Sequence, residues 1–317
     1  MALLVLVCVI ATLVLLVLLS FHLYPTLVSL FCREQDLWKK YGRHGEWAVV
    51  TGASGGIGRL FVERLLSQGF KVLGVSFPDE HARDLETHIN SSYPRGVFRS
   101  LEVDLACPGL AERLAEATQG MEVSVVVSNA GAGYAKPFDK LEDEWVESYV
   151  ASNAAAHARV ARFFYARMSK GGAIVFTSSS MAHMPASHSE LYCASKAFVE
   201  RLALSLAPAA AERGVDVLAV LPGAVVGTRF FDSVPRGVSF LRLFVALGQR
   251  PQAVVKTVLR TVGRFGVTTV DSGVLGVLMR LADVALSGNG FSGLFRLLVW
   301  KLSPLVGDPF ADYKSIS

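Results

Sequence analysis

The chain has 317 residues, with 31 Lys and Arg against 27 Asp and Glu, which gives a formal net charge of +4. This charge is small for the length and acidic residues are scattered among the basic ones, so nothing in the composition indicates a nucleic-acid-binding protein. The apolar fraction of 52% and the mean hydropathy of +0.42 are high for a soluble protein. The four cysteines show neither metal-ligand spacing nor a paired framework, so no metal site is predicted and a reducing compartment is favoured.

Part of the apolar excess lies at the N-terminus. Residues Ala2 to Phe21 contain no charged side chain, no Pro and no Gly. A helix of about 20 apolar residues is long enough to cross the hydrocarbon core of a bilayer, so we predict a transmembrane helix within an anchor of residues 1–31. A cleaved signal peptide is the alternative, but its basic leading segment is missing, because no Lys or Arg precedes Arg33.

Residues 32–46 are predicted to be a basic linker. Four basic residues follow the apolar span closely, whereas none precedes it: Arg33, Lys39, Lys40 and Arg43. By the positive-inside rule, the remainder of a single-pass protein would then face the cytoplasm. The alternative is that these residues merely keep a linker soluble.

The stretch from Trp47 to Leu66 has the pattern of a strand, a glycine turn and an amphipathic helix without a gap. Trp47–Val50 is a short apolar run, and helical spacing of apolar residues begins at Ile57. Glycines at the turn allow a pyrophosphate to approach the N-terminal end of the helix, and the three that matter are Gly52, Gly56 and Gly58. The pattern predicts a nucleotide-binding unit, with a purely structural glycine turn as the alternative.

After Gly69 the chain alternates strand-like runs with helix-like stretches, which indicates a parallel sheet covered on both faces. Five more strands are predicted, at Lys71–Phe77, Val97–Val103, Val123–Ser128, Ala173–Thr177 and Val215–Leu221. Helices are predicted at Asp79–Asn90, Gly109–Thr118, Asp143–Met168 and Leu191–Arg213. The predicted fold class is α/β, a doubly wound parallel sheet (Rossmann fold) over residues 47–270, with no repeat and no second domain within it.

Ligands of an open parallel sheet bind outside the carboxyl ends of its strands. Four of these ends are polar or rich in glycine here: TGASGGIG, Ser128–Gly131, Ser178–Ser180 and Pro222–Ala224. In addition, Tyr192 and Lys196 are four residues apart near the start of a helix, so that a phenol and an ammonium share one face. The sequence therefore predicts one polar crevice at this edge of the sheet.

The order of these motifs resembles the short-chain dehydrogenase/reductase family over residues 46–270. The resemblance is carried by TGASGGIG, SNAG, Asn153, Ser179, Tyr192-Cys-Ala-Ser-Lys196 and Pro222-Gly223. The segment Tyr41–Gly58, placed after an N-terminal anchor, further resembles very-long-chain 3-oxoacyl-CoA reductases and the related 17β-hydroxysteroid dehydrogenases.

The resemblance implies an NAD(P)-dependent oxidoreductase in the endoplasmic reticulum membrane that transfers a hydride to or from a lipophilic substrate. Reduction of a 3-oxoacyl-CoA is the leading expectation. The alternatives are a hydroxysteroid or 3-ketosphinganine dehydrogenase/reductase and a non-catalytic nucleotide-binding relative. The membrane and a lipophilic small molecule are the expected partners, and homo-oligomerisation is left open.

Four catalytic residues are implied by the resemblance: Asn153, Ser179, Tyr192 and Lys196. A free phenol titrates near pH 10, so a tyrosine acting as an acid or base at neutral pH needs about 4 kcal/mol of help. The ammonium of Lys196 would supply it, and by analogy would also bind the nicotinamide ribose. Ser179 would stabilise a developing alkoxide, with Ser178 and Ser180 as alternatives, and Asn153 would hold a water in the proton relay.

The residues implied to bind the cofactor are Gly52, Ser54, Gly56, Ile57, Gly58, Asp104, Asn129, Tyr192 and Lys196. A carboxylate at the end of the second strand would indicate NAD, and Ser76 and Phe77 stand there instead. The usual basic residue of NADP-dependent members is also missing, because position 55 is Gly55, so Arg59 is left as the phosphate partner. NADP is predicted, with NAD as the alternative.

The substrate lid is predicted at residues 223–250, where apolar side chains fit a lipophilic substrate: Phe230, Phe231, Phe240, Leu241, Phe244 and Val245. Ordinary packing against the sheet is the alternative reading of these residues. Thr228 lies one residue further from Pro222 than the family spacing, so no cofactor contact is assigned to it. In the tail, residues 271–317, the stretches Gly273–Leu286 and Phe291–Leu305 are predicted to be amphipathic and to touch the membrane rather than span it.

Overall fold

A computed structural model describes residues 1–168, 171–228, 246–286, 290 and 293. Seven parallel strands form one sheet in the order β3-β2-β1-β4-β5-β6-β7. The strands are β1 Trp47–Thr51, β2 Lys71–Ser76, β3 Phe98–Glu102, β4 Val123–Ser128, β5 Gly172–Thr177, β6 Val215–Pro222 and β7 Thr269–Ser272. Because the strand order reverses between β1 and β4, a crevice opens between their carboxyl ends. The predicted doubly wound α/β sheet is confirmed.

The helices in the described residues connect and flank these strands. They are α1 Ala2–Phe31, α2 Leu37–Tyr41, α3 Gly56–Gln68, α4 Glu80–Ser92, α5 Leu110–Ala117, α6 Asp143–Val150, α7 Ala156–Tyr165, α8 Glu190–Glu212 and α9 Pro251–Thr261. A further helix covers residues 274–286.

Strand β1 shows how the sheet is buried on both faces. Ala48 and Val50 belong to one apolar core, which also contains buried side chains of α3, α4 and α9. Val49 points the other way, into a second core built with α5, α7 and α8. Successive strand side chains alternate between faces, so an uninterrupted apolar run is the pattern that a strand with two covered faces requires.

The predicted single helix Asp143–Met168 is interrupted in the structure. Residues Ala151–Ala155 form a π-helical turn between α6 and α7. Asn153 lies within this turn, and its Nδ2 donates to the carbonyl of Tyr149 at 3.2 Å. A π turn adds one residue to the helix and leaves the apolar spacing close to helical, so periodicity did not reveal it.

The 32–46 segment, expected to be a linker, packs onto the sheet domain. It contains helix α2, in which Leu37 and Tyr41 are buried. The Tyr41 hydroxyl donates to Asp216 Oδ2 at 2.7 Å, and Lys40 Nζ donates to the carbonyl of Gly263 at 2.6 Å. Lys40 and Tyr41 therefore bind specific groups of the domain instead of only interacting with solvent.

The end of α1 also contacts the domain. Val28 is buried, and Arg260 Nη1 donates to the carbonyl of Ser29 at 2.9 Å. Within the part of the chain that the structure describes, no helix meets the length and apolarity needed to cross a membrane. Residues 229–245 of the predicted lid, with all six of its apolar side chains named above, lie outside the described residues, as does Phe291–Leu305 apart from residue 293.

Candidate active site

The turn between β1 and α3 has a backbone shape that requires glycine. Gly52 and Gly56 have φ angles of +63° and +52°, in the left-handed region that side chains disfavour. A Cβ on Gly58 would lie 2.0 Å from the carbonyl oxygen of Gly52, and a Cβ on Gly52 would lie 2.8 Å from Cα of Ala130. The N-terminus of α3 has no side-chain cap and opens onto this turn, and the positive end of a helix dipole favours an anion there. This cradle fits the pyrophosphate of a dinucleotide.

A hydrogen-bond clamp joins the ends of β1 and β4 beside this turn. The hydroxyl oxygen of Thr51 accepts from the amides of Asn129 and Ala130 at 2.9 and 3.1 Å. Asn129 Nδ2 in turn donates to the carbonyl of Thr51 at 3.2 Å. Asn129 was predicted to hold the ribose side of the site, and the structure places it at this switch point. Thr51 was missed, although a polar residue that ends an apolar strand could have indicated it.

The segment after β4 is held against the π turn. Asn153 Oδ1 accepts from the amide of Ala132 at 2.8 Å, and the Tyr149 hydroxyl donates to the Ala132 carbonyl at 2.6 Å. A Cβ on Gly131 would lie 3.0 Å from Lys196 Nζ and 3.1 Å from Asn153 Oδ1. The absence of a side chain at Gly131 therefore lets the segment after β4, the π turn and helix α8 pack closely. This packing brings Asn153 next to Lys196.

Tyr192 and Lys196 lie together in the first turns of α8, as predicted. Both are buried, and Lys196 Nζ is 5.7 Å from the centre of the Tyr192 ring. Lys196 Nζ also donates to the carbonyl of Thr177 at 3.0 Å. Burial lowers the pKa of Lys196 to about 8. Burial raises the pKa of the Tyr192 phenol, and a hydrogen bond with Ser179 offsets part of that effect. The phenol is therefore neutral at pH 7 and able to donate a proton.

The three serines after β5 have different surroundings. The Ser178 hydroxyl is buried and donates to the carbonyl of Lys196 at 2.6 Å, so it ties β5 to α8. The Ser179 hydroxyl interacts with Tyr192 and accepts from the amide of Met181 at 3.2 Å. Ser180 is buried at the start of a short 3-10 turn. The geometry therefore favours Ser179 as the partner of Tyr192 in the site.

His157 is buried behind this group. Its Nδ1 lies 2.8 Å from the Ser128 hydroxyl. Burial, followed by the nearby charge of Lys196, lowers the pKa of His157 to about 3, so the imidazole is neutral. A neutral imidazole adds no positive charge next to the ammonium of Lys196. Its hydrogen bond with Ser128 also stabilises the end of β4.

The adenine side of the crevice is more open. Asp104 is exposed after β3, with its Oδ1 accepting from the amide of Ala106 at 2.8 Å. Ser54 and Ile57 are half-buried at the glycine turn. Thr228 also lies here, because a Cβ on Gly56 would be 3.0 Å from its Cγ2. The spacing of Thr228 from Pro222 predicts no cofactor contact, whereas the structure places its side chain beside the glycine turn.

The region that discriminates between the two dinucleotides follows β2. Ser76 is buried, and Phe77 is 61% exposed. Arg59 Nε is paired with Glu63 at 3.2 Å across one turn of α3. The end of β2 therefore presents an apolar ring and no carboxylate, and the guanidinium of Arg59 forms an ion pair with Glu63.

The fold and the site together define an α/β dinucleotide-binding protein with serine, tyrosine and lysine grouped at the switch point of its sheet. The chain belongs to the short chain dehydrogenase family, whose family model matches residues 46–238.

Three similar proteins illustrate the range of relatives. A very-long-chain 3-oxoacyl-CoA reductase of Podospora anserina is 33% identical over 191 residues, which cover 58% of this chain and 56% of that protein. An inactive hydroxysteroid dehydrogenase-like protein 1 of Rattus norvegicus is 29% identical over 76% of this chain and 71% of its own length. The crystal structure of a short chain dehydrogenase from Burkholderia cenocepacia in complex with NADP is 27% identical, with a TM-score of 0.60 over 71% of this chain and 96% of that one.

Proposed function

We propose that this protein is a nicotinamide-dinucleotide-dependent oxidoreductase that reduces the carbonyl group of a lipophilic substrate, with a 3-oxoacyl-CoA as the leading candidate. The grouping of Ser179, Tyr192 and Lys196 carries the proposal, because it combines an oxyanion partner, a proton donor and a buried cation. The name of the Podospora relative supports the choice of substrate class, although this chain spans only 56% of that relative's length.

The bound dinucleotide would supply the hydride. Lys196 Nζ lies 5.7 Å from the centre of the Tyr192 ring, and a positive charge at that distance would favour loss of the phenolic proton, against the burial that raises the pKa of the phenol. Tyr192 donates that proton to the substrate carbonyl oxygen, and the Ser179 hydroxyl donates a hydrogen bond to the same oxygen as negative charge develops there. Asn153 holds the chain at Ala132 in place beside these groups.

A non-catalytic role is the second candidate, because one relative is named an inactive hydroxysteroid dehydrogenase-like protein. A protein that only binds a nucleotide needs the glycine cradle but has no need of a phenol and an ammonium in the same crevice. The positions of Tyr192, Lys196 and Ser179 support turnover over binding alone. Hydroxysteroids and 3-ketosphinganine are the alternative substrates.

The most informative test follows NADPH and NADH oxidation by the detergent-solubilised full-length protein. The substrate panel contains 3-oxoacyl-CoA thioesters of several chain lengths, oxosteroids and 3-ketosphinganine, with the Tyr192→Phe variant as the background. Turnover of a 3-oxoacyl-CoA well above that background is expected. Dinucleotide binding without turnover of any of these substrates would instead support the non-catalytic role.

We propose NADP as the cofactor, because the end of β2 carries no carboxylate that would repel a 2′-phosphate. Phe77→Asp should shift preference toward NAD by about 1 to 3 kcal/mol, roughly 5- to 150-fold, as measured by titrating both dinucleotides. Phe265→Asp is a matched control, because Phe265 is 69% exposed and lies in the turn between α9 and β7. A wild-type protein that already binds NADH more tightly would contradict the NADP proposal.

The pKa of Lys196 gives a pH prediction. At low dinucleotide concentration, the rate of reduction should fall by about tenfold per pH unit above about pH 8, because Lys196 then loses the charge that assists Tyr192. Lys196→Arg keeps its charge over this range, so its lower residual rate should stay flat from pH 7 to pH 10. A wild-type profile that is also flat to pH 10 would argue against a role for the Lys196 charge.

We also propose that residues 1–31 anchor the protein in the endoplasmic reticulum membrane with the catalytic domain facing the cytoplasm. The support is the uncharged stretch Ala2–Phe21 and the basic residues that follow it. The full-length protein should then resist carbonate and high-salt extraction, and added protease should digest the domain in sealed microsomal vesicles. Full protection of the domain without detergent would place it in the lumen. A mature chain that begins near residue 21 would identify a signal peptide.

A further inference from the structure

A cluster of charged and titratable side chains lies next to the catalytic group but does not belong to it. We call it the Arg280 cluster, and its members come from the turn after β5, α8, β7 and the 274–286 helix: His183, Glu200, Asp271, Arg280 and Asp283. The side chains of Arg280, Glu200 and Asp271 are only 14%, 12% and 4% exposed. Buried charges of this kind are costly unless they are paired, so their arrangement calls for a reason.

Arg280 bridges two elements of the fold. Its Nη2 donates to Glu200 Oε1 on α8 at 2.9 Å, and its Nε donates to Asp271 Oδ2 on β7. The guanidinium therefore connects helix α8 to the last strand of the sheet from a third element, the 274–286 helix. Its two donors lie in one rigid plane, so the bridge fixes the relative position of both carboxylates.

Both ends of the bridge are close in sequence to catalytic groups. Glu200 is four residues after Lys196, one helical turn further along the same face of α8. His183 is four residues after Ser179 and lies 3.8 Å from Asp271 and 3.9 Å from Glu200. A movement of α8 away from β7 would therefore be transmitted to the segments that carry Lys196 and Ser179.

The charges show what Arg280 does. Three carboxylates, Glu200, Asp271 and Asp283, surround His183, and the pKa of His183 is lowered by burial and by Arg280. His22 of α1 faces the same imidazole. Burial raises the pKa of Asp271 to about 6, even though Arg280 acts in the opposite direction. Without the guanidinium, the carboxylates on α8 and β7 would repel each other.

We propose that Arg280 is a positioning residue for the reaction, which keeps α8 seated against β7 at Glu200 and thereby holds Tyr192 and Lys196, on the preceding turns, in line with Ser179. The proposal rests on the proposed oxidoreductase function. A displacement of about 1 Å in a reacting group can cost about a hundredfold in rate, so a modest shift of α8 is enough to have a large effect.

The test compares Arg280→Met, Arg280→Lys and the double variant Glu200→Gln/Arg280→Met in the full-length protein. At pH 7.5, Arg280→Met should lower kcat at least tenfold, with KM for the dinucleotide within about threefold of wild type. Arg280→Lys keeps the charge and should fall between Arg280→Met and wild type. The double variant should recover to about the kcat of Glu200→Gln alone, because it removes the repulsion although the bridge is also lost.

A pH profile separates positioning from loss of packing. The deficit of Arg280→Met should shrink as the pH falls toward 6 and below, because loss of Arg280 raises the pKa of Asp271 further and a proton on that carboxylate removes the repulsion. Arg213→Met is the matched control, because Arg213 lies at the other end of α8, over the Tyr165 ring. Its kcat should stay within about twofold of wild type. A deficit of Arg280→Met that is equal at all pH values and is not relieved by Glu200→Gln would overturn the proposal.

Hydrogen exchange gives a readout that needs no substrate. Arg280→Met should speed amide exchange in peptides covering residues 179–183 and 190–204, whereas Arg213→Met should not affect them. Unchanged exchange in those peptides would overturn the proposal even if the wild-type protein showed no turnover. Absence of turnover would by itself count against the proposed function. If Arg280→Met does not fold, Glu200→Gln alone should lower kcat at least threefold and speed amide exchange at residues 190–204. Unchanged kcat and unchanged exchange in Glu200→Gln would overturn the inference.

Discussion

Tyr192→Phe should lower turnover by at least about three orders of magnitude while dinucleotide binding stays near normal. The substitution removes only the hydroxyl that donates the proton, and proton transfer by a positioned group contributes about a hundred- to ten-thousandfold. The buried ring should still pack in place, because phenylalanine keeps its shape. Steady-state kinetics on the best substrate, with dinucleotide binding followed by fluorescence, measures both quantities.

Tyr165→Phe is the matched control for this variant. The Tyr165 hydroxyl donates to the carbonyl of Ala209 at 3.0 Å, at the far end of α8 from the catalytic group. Its removal should leave turnover unchanged. Retention of more than a tenth of the wild-type rate by Tyr192→Phe, with the same range of substrates, would show that Tyr192 is not the proton donor.

Gly58→Ala should weaken dinucleotide binding by at least about a hundredfold, which corresponds to about 2.7 kcal/mol. The added Cβ would lie 2.0 Å from the carbonyl oxygen of Gly52, far inside van der Waals contact, and neither atom can move without a shift of the backbone. The first turn of α3 must therefore move away from β1, which also disturbs the amides that receive the pyrophosphate. Isothermal titration with NADPH and NADH, together with thermal unfolding, measures the two effects.

Gly109→Ala provides the control for an added methyl group. Gly109 precedes α5 with an ordinary φ of −85°, and the nearest atom to its new Cβ would be Glu112 Oε2 at 3.8 Å. Dinucleotide affinity and the unfolding midpoint should therefore be close to wild type. If Gly58→Ala bound the dinucleotide as tightly as Gly109→Ala, the glycine turn would not be the phosphate site.

The sequence could bring together much of the proposed catalytic group, because its members lie within short motifs. Tyr192 and Lys196 are one helical turn apart, so local geometry alone brings them together. The choice among Ser178, Ser179 and Ser180 was less secure, since a single residue of error changes which hydroxyl points to the phenol. Only the packed structure shows that Ser178 is occupied by the carbonyl of Lys196.

Other features depend on contacts between residues far apart in the chain. Thr51 meets Asn129 across 78 positions, and Thr228 reaches Gly56 from the end of β6. The π turn around Asn153 was invisible because one inserted residue leaves the apolar pattern nearly helical. The location of the protein and the role of Ala2–Phe21 in the membrane stay predictions.

The sequence by itself determined strands β1 to β6 and the helices between them, except the break at Ala151–Ala155, together with the glycine turn and the Tyr192–Lys196 pair. Each of these follows from local periodicity or from backbone sterics within a few residues, whereas α2, α9 and β7 were not predicted. The tertiary structure alone decided which of these elements became neighbours. It packed residues 37–41 onto the domain, placed Gly131 between Lys196 and Asn153, and joined α8 to β7 through Arg280. Such contacts form only when distant segments share one packed core, and no local pattern in the chain records them.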